Sequence, residues 1–352
     1  MAIVSIKNKT KSGSLLVGNT AYRPQAIIVG HSTSPYITSY PWGAAGFGTK
    51  YTNPATLPPG YGAGVSFSPT ADAVGVASNA SPALSAYSFS ISSGFGTKFA
   101  DPATLPTDST EIGFNSTGTL IGGEGGGTPY IFVYPFSSST GFGTKYANPS
   151  TLPAGYGAGF GFRTTGTDVA IGHGTSPYVT AYPFSSGFGT KYANPATALP
   201  YTSNSVNWSA AGTDILIGTG GGGAAPNAYA WSSGFGTKYS TPSGLAGSNQ
   251  GTSRFNPAGT AAVMAMSSSP YFCVFPFTTG TGFGTKYADP ATLPTGQGTA
   301  SAFSATGTDV AIAHSTSPYV SVYPFSTSTG IGTKYSNPAT LPTGNGASVS
   351  FV

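Results

Sequence analysis

The chain has 352 residues, with 13 Lys or Arg, 9 Asp or Glu and 3 His, for a formal net charge of +4. Only 6% of its residues are charged, against roughly a quarter in ordinary globular domains, so acid–base chemistry has little material to draw on. The single Cys excludes an intrachain disulfide framework and a Cys-based zinc site. No apolar run reaches the ~18 residues of a membrane helix, so membrane insertion is not expected.

Residues 1–24 carry no repeat and no signal-like apolar core followed by a cleavage site. They hold Lys7, Lys9 and Lys11, three cations within a short span and no acid. This arm reads as a tether to a partner.

From residue 25 the chain becomes short runs of β-branched and aromatic residues between Gly, Pro, Asn and Ser clusters, the pattern of strands and turns. AIIVGH (26–31), YITSYPW (36–42) and TKYT (49–52) come first, and GVSFS (64–68) opens the next unit. The segment GFGTKY begins at Gly46 and recurs, with single changes, at Gly94, Gly141, Gly187, Gly234, Gly282 and Gly330, at spacings of 46 to 48 residues. Seven copies at a period near 47, with no helical periodicity, predict propeller blades. In the copy from Gly159 the strands are GFGFR (159–163), DVAIGH (168–173), YVTAYPF (178–184) and TKYA (190–193), and NPATALP returns to the next unit. The last segment, ASVSFV (347–352), is a first strand with nothing after it. The predicted fold is therefore all-β: a seven-bladed β-propeller of four-stranded blades over 25–352, closed by pairing the C-terminal strand with N-terminal strands.

The repeat resembles WD40-type and related propeller repeats over nearly the whole chain. It departs from WD40 where the third strand ends Tyr182-Pro183-Phe184 rather than Trp-Asp. The GFGTKYANPATLP unit resembles repeats in tailed-bacteriophage proteins, several of them virion components. That resemblance implies a non-enzymatic structural or receptor-contacting part of a phage particle, made in the host cytoplasm and extracellular once assembled. Its partners would be other virion proteins or a host-surface glycan, with no nucleic acid and no cofactor. The alternative is a free lectin-like module that binds glycan or protein.

The recurring residues supply the candidate sites. Lys50, Lys98, Lys145, Lys191, Lys238, Lys286 and Lys334 follow the Gly-Thr step, one per blade, on the predicted outer strand. There they discourage edge pairing or form a cationic belt. His31, His173 and His314 share one repeat position, at which Glu124 also falls; they sit in blades 1, 4 and 7, too dispersed for a zinc site. The loops between second and third strands vary most and, with the inter-blade returns, share one face in WD40-type propellers. That face would carry His31, Tyr36, Glu124, Tyr130, His173, Tyr178, Asn227, Tyr271, His314 and Tyr319, and tyrosines on rigid turns suit sugar or protein contact. The Gly-Phe-Gly phenylalanines are expected to pack between blades, and Leu57, Leu105 and their repeats to plug the gaps. The nine acids, most of them in turns or before proline, argue against a hydrolase.

Overall fold

The computed structural model describes residues 25–221, 225–242, 245 and 250–352; the arm and its tether lysines lie outside them. The described residues form 27 strands and no helix. They make seven antiparallel sheets, six of four strands and one of three. In the three-stranded blade, blade 4, a single bridge between Phe184 and Phe188 stands where the outer strand would be. In the other five sheets that do not close the ring the strands run inner, second, third, outer in chain order. Ring closure is as expected: the C-terminal strand Gly346–Phe351 pairs with Gln25–His31, Ile27 opposite Phe351 and Val29 opposite Val349. The architecture is a seven-bladed propeller, like WD40 propellers in that coarse sense.

Second strands such as Ala73–Ser78 and Asp168–His173 are buried at every residue. A neighbouring blade covers each face, so these strands read as continuous apolar runs rather than as an alternation. One aromatic contact recurs at every blade interface, and blades 6 and 7 add a second, Phe272 against Tyr323. The ring three residues after each Gly-Phe-Gly crosses to the third strand of the following blade: Tyr51 to Phe89, Phe99 to Phe136, Tyr146 to Phe184, Tyr192 to Trp231, Tyr239 to Phe277, Tyr287 to Phe325, and Tyr335 back to Trp42. All seven pairs are edge-on, with centroids 5.0 to 5.6 Å apart. Such pairs contribute about 0.5–1.5 kcal/mol beyond their buried area.

Three expectations are corrected. The Gly-Phe-Gly phenylalanines pack within their own blade, as Phe47 does on Tyr40 and Trp42. The outer strand starts earlier than expected, at Gly-Phe: Gly46–Phe47, Gly141–Phe142 and Gly282–Phe283 have two residues, while in blades 2 and 5 it runs on through the expected Thr-Lys, as Gly94–Lys98 and Phe235–Lys238. Of the repeated leucines, Leu199 is buried between blades 4 and 5 as expected, but Leu57 and Leu105 are 37% and 40% exposed, while Pro54, Pro58, Pro102, Pro149 and Pro153 are buried. The rigid prolines fill the inter-blade gaps. Buried tyrosines of the third strands fix the return by donating to it: Tyr40 Oη to Thr340 O at 2.7 Å, and Tyr182 Oη to Thr151 O at 2.8 Å.

Candidate functional site

Seven inner strands wall the central channel. In six blades the pairing of inner with second strand slips near the start of the inner strand, as between Gly62 and Gly64 or Gly298 and Ala300. Such a bulge re-aims the skipped residue. The skipped residues Ala63, Ala158, Asn204, Thr299 and Ala347 line the channel mouth.

Blade 3 is built differently. Its inner strand is only Ile112–Phe114, paired in register with the second strand. The cause lies one residue away from where the repeat places it. Gly125, not Glu124, occupies the histidine position: its N–H bonds Tyr130 O at 2.9 Å, as that of His31 bonds Tyr36 O and that of His173 bonds Tyr178 O. Glu124 pairs with Ile131, as Gly30 pairs with Ile37, Ala77 with Leu84 and Gly172 with Val179. One step along a strand is the opposite face. On this face the other blades need a small residue, since a Cβ on Gly172 would lie 2.2 Å from Ser203 Oγ, and one on Gly30 2.3 Å from Gly62 O. In blade 3 the carboxylate takes that space, and Oε1 of Glu124 accepts from Thr110 N at 2.6 Å, Thr110 Oγ1 at 2.5 Å and Glu111 N at 2.6 Å. The amides that would begin a ladder bond a side chain instead, and Glu111 stands in the channel wall.

The channel holds two cavities, of about 450 Å³ on the side of the returns and about 260 Å³ on the other. Glu111 and Arg254 line both and, among the described residues, are the only charged ones that line either. Arg254, from the inner strand Gln250–Phe255 of blade 6, reaches across and pairs through Nη2 with Glu111 Oε1. Its Nη1 donates to Ser253 O at 3.1 Å. Glu111 is 8% exposed, and its Oε2 is buried without a hydrogen-bond partner. Burial pushes the Glu111 carboxyl above the usual carboxylate range, and Arg254 opposes that shift. Glu124, 1% exposed, is pushed up to about 8 by burial, with the bonds from Thr110 and Glu111 opposing and the Glu111 charge adding.

None of the ten loop-face residues lines the main cavity. The three histidines are fully buried and bond third-strand hydroxyls through Nε2: His31 to Thr38 at 2.9 Å, His173 to Thr180 at 3.0 Å and His314 to Ser321 at 3.0 Å. Burial lowers each to about 4, so they are neutral packing groups. Tyr36, Tyr130, Tyr178, Tyr271 and Tyr319 adopt φ of 67° to 71°, a rare region for a bulky residue. In three of them that conformation seats the carbonyl against an inner-strand glycine: a Cβ on Gly62, Gly298 or Gly346 would lie 2.2 to 2.3 Å from the carbonyl oxygen of Tyr36, Tyr271 or Tyr319. Their rings are half-buried, and Tyr130 lines a side cavity of about 220 Å³ with Lys145 and Asn148. Asn227 is buried and donates to Ala225 O at 2.8 Å. The lysines of the belt are all half-buried. Six fold back on the Asn or Asp three residues on, as Lys145 Nζ does on Asn148 Oδ1 at 2.5 Å. Among the described residues no group of three or more His, Cys, Asp or Glu is placed to hold a metal.

Sequence reasoning missed Glu111 and Arg254. The signal was present: the chain has only two glutamates, Glu111 and Glu124, both in blade 3, and Arg254 stands where the matching inner strands carry Ser66, Gly161, Asn207 and Ala302.

No family model matches the chain, and no curated protein matches it. Solved structures do. A protein named as a 6-phosphogluconolactonase from Bacteroides uniformis is 15% identical, with a TM-score of 0.73 over 94% of this chain and 99% of that one. The periplasmic gluconolactonase of Pseudomonas aeruginosa is 14% identical, with a TM-score of 0.69 over 93% and 99%. A protein named as a 6-phosphogluconolactonase from Bacteroides fragilis is 14% identical, with a TM-score of 0.65 over 94% and 98%. At such identities the likeness shows the fold. It also overturns the expectation of a non-enzymatic phage-particle component, or of a free lectin-like module: propellers that match this chain almost end to end are named for lactone hydrolysis, not for particle assembly.

Proposed function

We propose that the chain is a hydrolase of lactone type, with its site in the larger channel cavity. The observation that carries this reading is the Glu111–Arg254 pair. It unites, at the wall of a cavity of about 450 Å³, one desolvated carboxylate and one guanidinium in a channel that the described residues otherwise line with uncharged groups. The names of the similar propellers point the same way.

The chemistry needs both groups. A lactone that enters between them presents its carbonyl oxygen to Arg254, which stabilises the negative charge that develops there. Glu111 takes a proton from water as the water oxygen bonds the carbonyl carbon. The ring C–O bond then breaks, the ring oxygen leaves with the proton held by Glu111, and a hydroxy acid results. The raised Glu111 carboxyl makes it a better base than an exposed glutamate. Because the working form is the carboxylate, activity should rise with pH through that raised pKa and be lost below it.

The test is acid release from glucono-1,5-lactone at constant pH. The full chain should exceed spontaneous hydrolysis at least tenfold. Glu111→Gln and Arg254→Met should each lose about 10²–10³ of the enzymatic rate while the β-sheet circular dichroism persists. A wild-type rate equal to the spontaneous one would overturn the reading.

A further inference from the structure

The channel also discriminates between classes of lactone. We infer that it takes a neutral, hydroxyl-rich lactone and rejects one that carries a phosphate; this rests on the channel as the binding site proposed above.

The first argument is charge. Among the described residues Arg254 is the only cation that lines the channel, and it is committed to Glu111. The belt lysines lie at the ends of the outer strands and line neither channel cavity. A phosphate group needs Arg or Lys partners or a helix N-terminus, and the described residues form no helix. A phosphate that took Arg254 for itself would leave the Glu111 carboxylate buried beside a second anion, an arrangement that costs far more than it returns.

The second argument is hydrogen-bond polarity. Three threonine hydroxyls at the mouth have their protons committed to the protein. Thr110 Oγ1 donates to Glu124 Oε1 at 2.5 Å, and Thr299 Oγ1 donates to Gly346 O at 2.6 Å. Thr252 Oγ1 receives Ser301 N–H at 2.8 Å and donates back to Ser301. What these groups have left to offer is lone pairs. Glu111 adds a carboxylate oxygen with no donor of its own. Around Glu111 these groups offer acceptors, and Gln297, Asn204, Tyr61 and Ser267 add amide and hydroxyl groups that can both donate and accept; the wall suits a ligand whose own groups donate as well as accept. Sugar hydroxyls donate; a phosphate dianion only accepts.

The experiment separates binding from hydrolysis. Isothermal titration would use the full chain with the δ-lactam analogue of gluconolactone, which the site hydrolyses too slowly to matter, and with the same lactam phosphorylated at the 6-position. The neutral lactam should bind at least tenfold more tightly, and the corresponding lactones should show the same order in kcat/KM. Equal affinity, preference for the phosphorylated lactam, or no binding of either would overturn the inference. Tight binding of the neutral lactam with no turnover of either lactone would uphold it and sink the hydrolase reading instead.

Discussion

Blades 3 and 4 are neighbours in the ring with the same order of inner, second and third strands, and within those strands they differ at one rung. Blade 4 has Gly172 next to His173, and its inner strand pairs over Gly157–Phe162 behind a bulge. Blade 3 has Glu124 next to Gly125, and its inner strand starts pairing only at Ile112. In blade 4 the large polar group lies on the face that meets the third-strand hydroxyl of Thr180. In blade 3 it lies on the face that meets the inner strand. A single exchange of large and small residue across the pleat thus converts a repeat unit into the wall that presents Glu111. Repetition builds the scaffold, and the chemistry sits where the repetition is broken.

The most damaging way to test this is to move the exchange. Gly172→Glu should destabilise the protein by on the order of 4 kcal/mol. The new Cβ would meet Ser203 Oγ at 2.2 Å, and the blade 4 inner strand has its amides already in a ladder. A loss under about 1 kcal/mol in urea melts would mean that any blade can rearrange as blade 3 does, and that Glu124 is not a special accommodation.

The same rung accounts for what the sequence made legible. The period near 47 and the unpaired first strand at 347–352 sufficed for blade number and ring closure, because each repeat must bury the same two faces. The outer strand was misplaced since Gly-Phe and Thr-Lys-Tyr both carry an aromatic, and only the packing shows that the first stays in its blade while the second crosses. Glu124 was aligned with the histidines because the alignment counted polar residues, whereas the strand counts faces. Arg254 and Glu111 belong to blades 6 and 3, and no local pattern announces a pair formed across a channel.

A pH series sharpens the comparison, because the two kinds of rung titrate with opposite sign. Burial lowers the folded pKa values of His31, His173 and His314 to about 4, against 6.5 for an imidazole in water. Between those values the unfolded chain binds more protons, so stability falls as pH drops from about 6.5 to 4, by on the order of 3 kcal/mol per histidine. Glu124 is raised to about 8 from 4.5. Its contribution is fully present below 4.5 and is lost as pH rises through 8. His173→Ser should flatten the acid side of the stability profile, and Glu124→Gln the alkaline side. Chemical denaturation at pH 4, 6 and 8 checks both, and a Glu124→Gln profile parallel to wild type above pH 5 would contradict the buried-carboxylate account of blade 3.

The smallest effect concerns the lysines, where blade 5 is the odd member. Six of the seven lysines bond an Asn or Asp three residues on; Lys238 has Thr241 at that place. If the recurrent lysine exists to fasten the turn that carries the crossing aromatic, Lys145→Ala should cost more stability than Lys238→Ala. The difference should stay within about 1 kcal/mol, since a partly exposed polar contact contributes little. Lys98 and Lys286 face aspartates, so the cost of removing them should shrink in high salt, whereas that of Lys145, which faces an amide, should not. A belt that serves an anionic surface predicts a different pattern. All seven substitutions would then weaken binding to anionic vesicles by similar factors while thermal melts stayed unchanged. Comparing melts with vesicle co-sedimentation therefore assigns the lysines to the turns or to the surface, and turn fastening is the outcome that the half-buried ammonium groups favour.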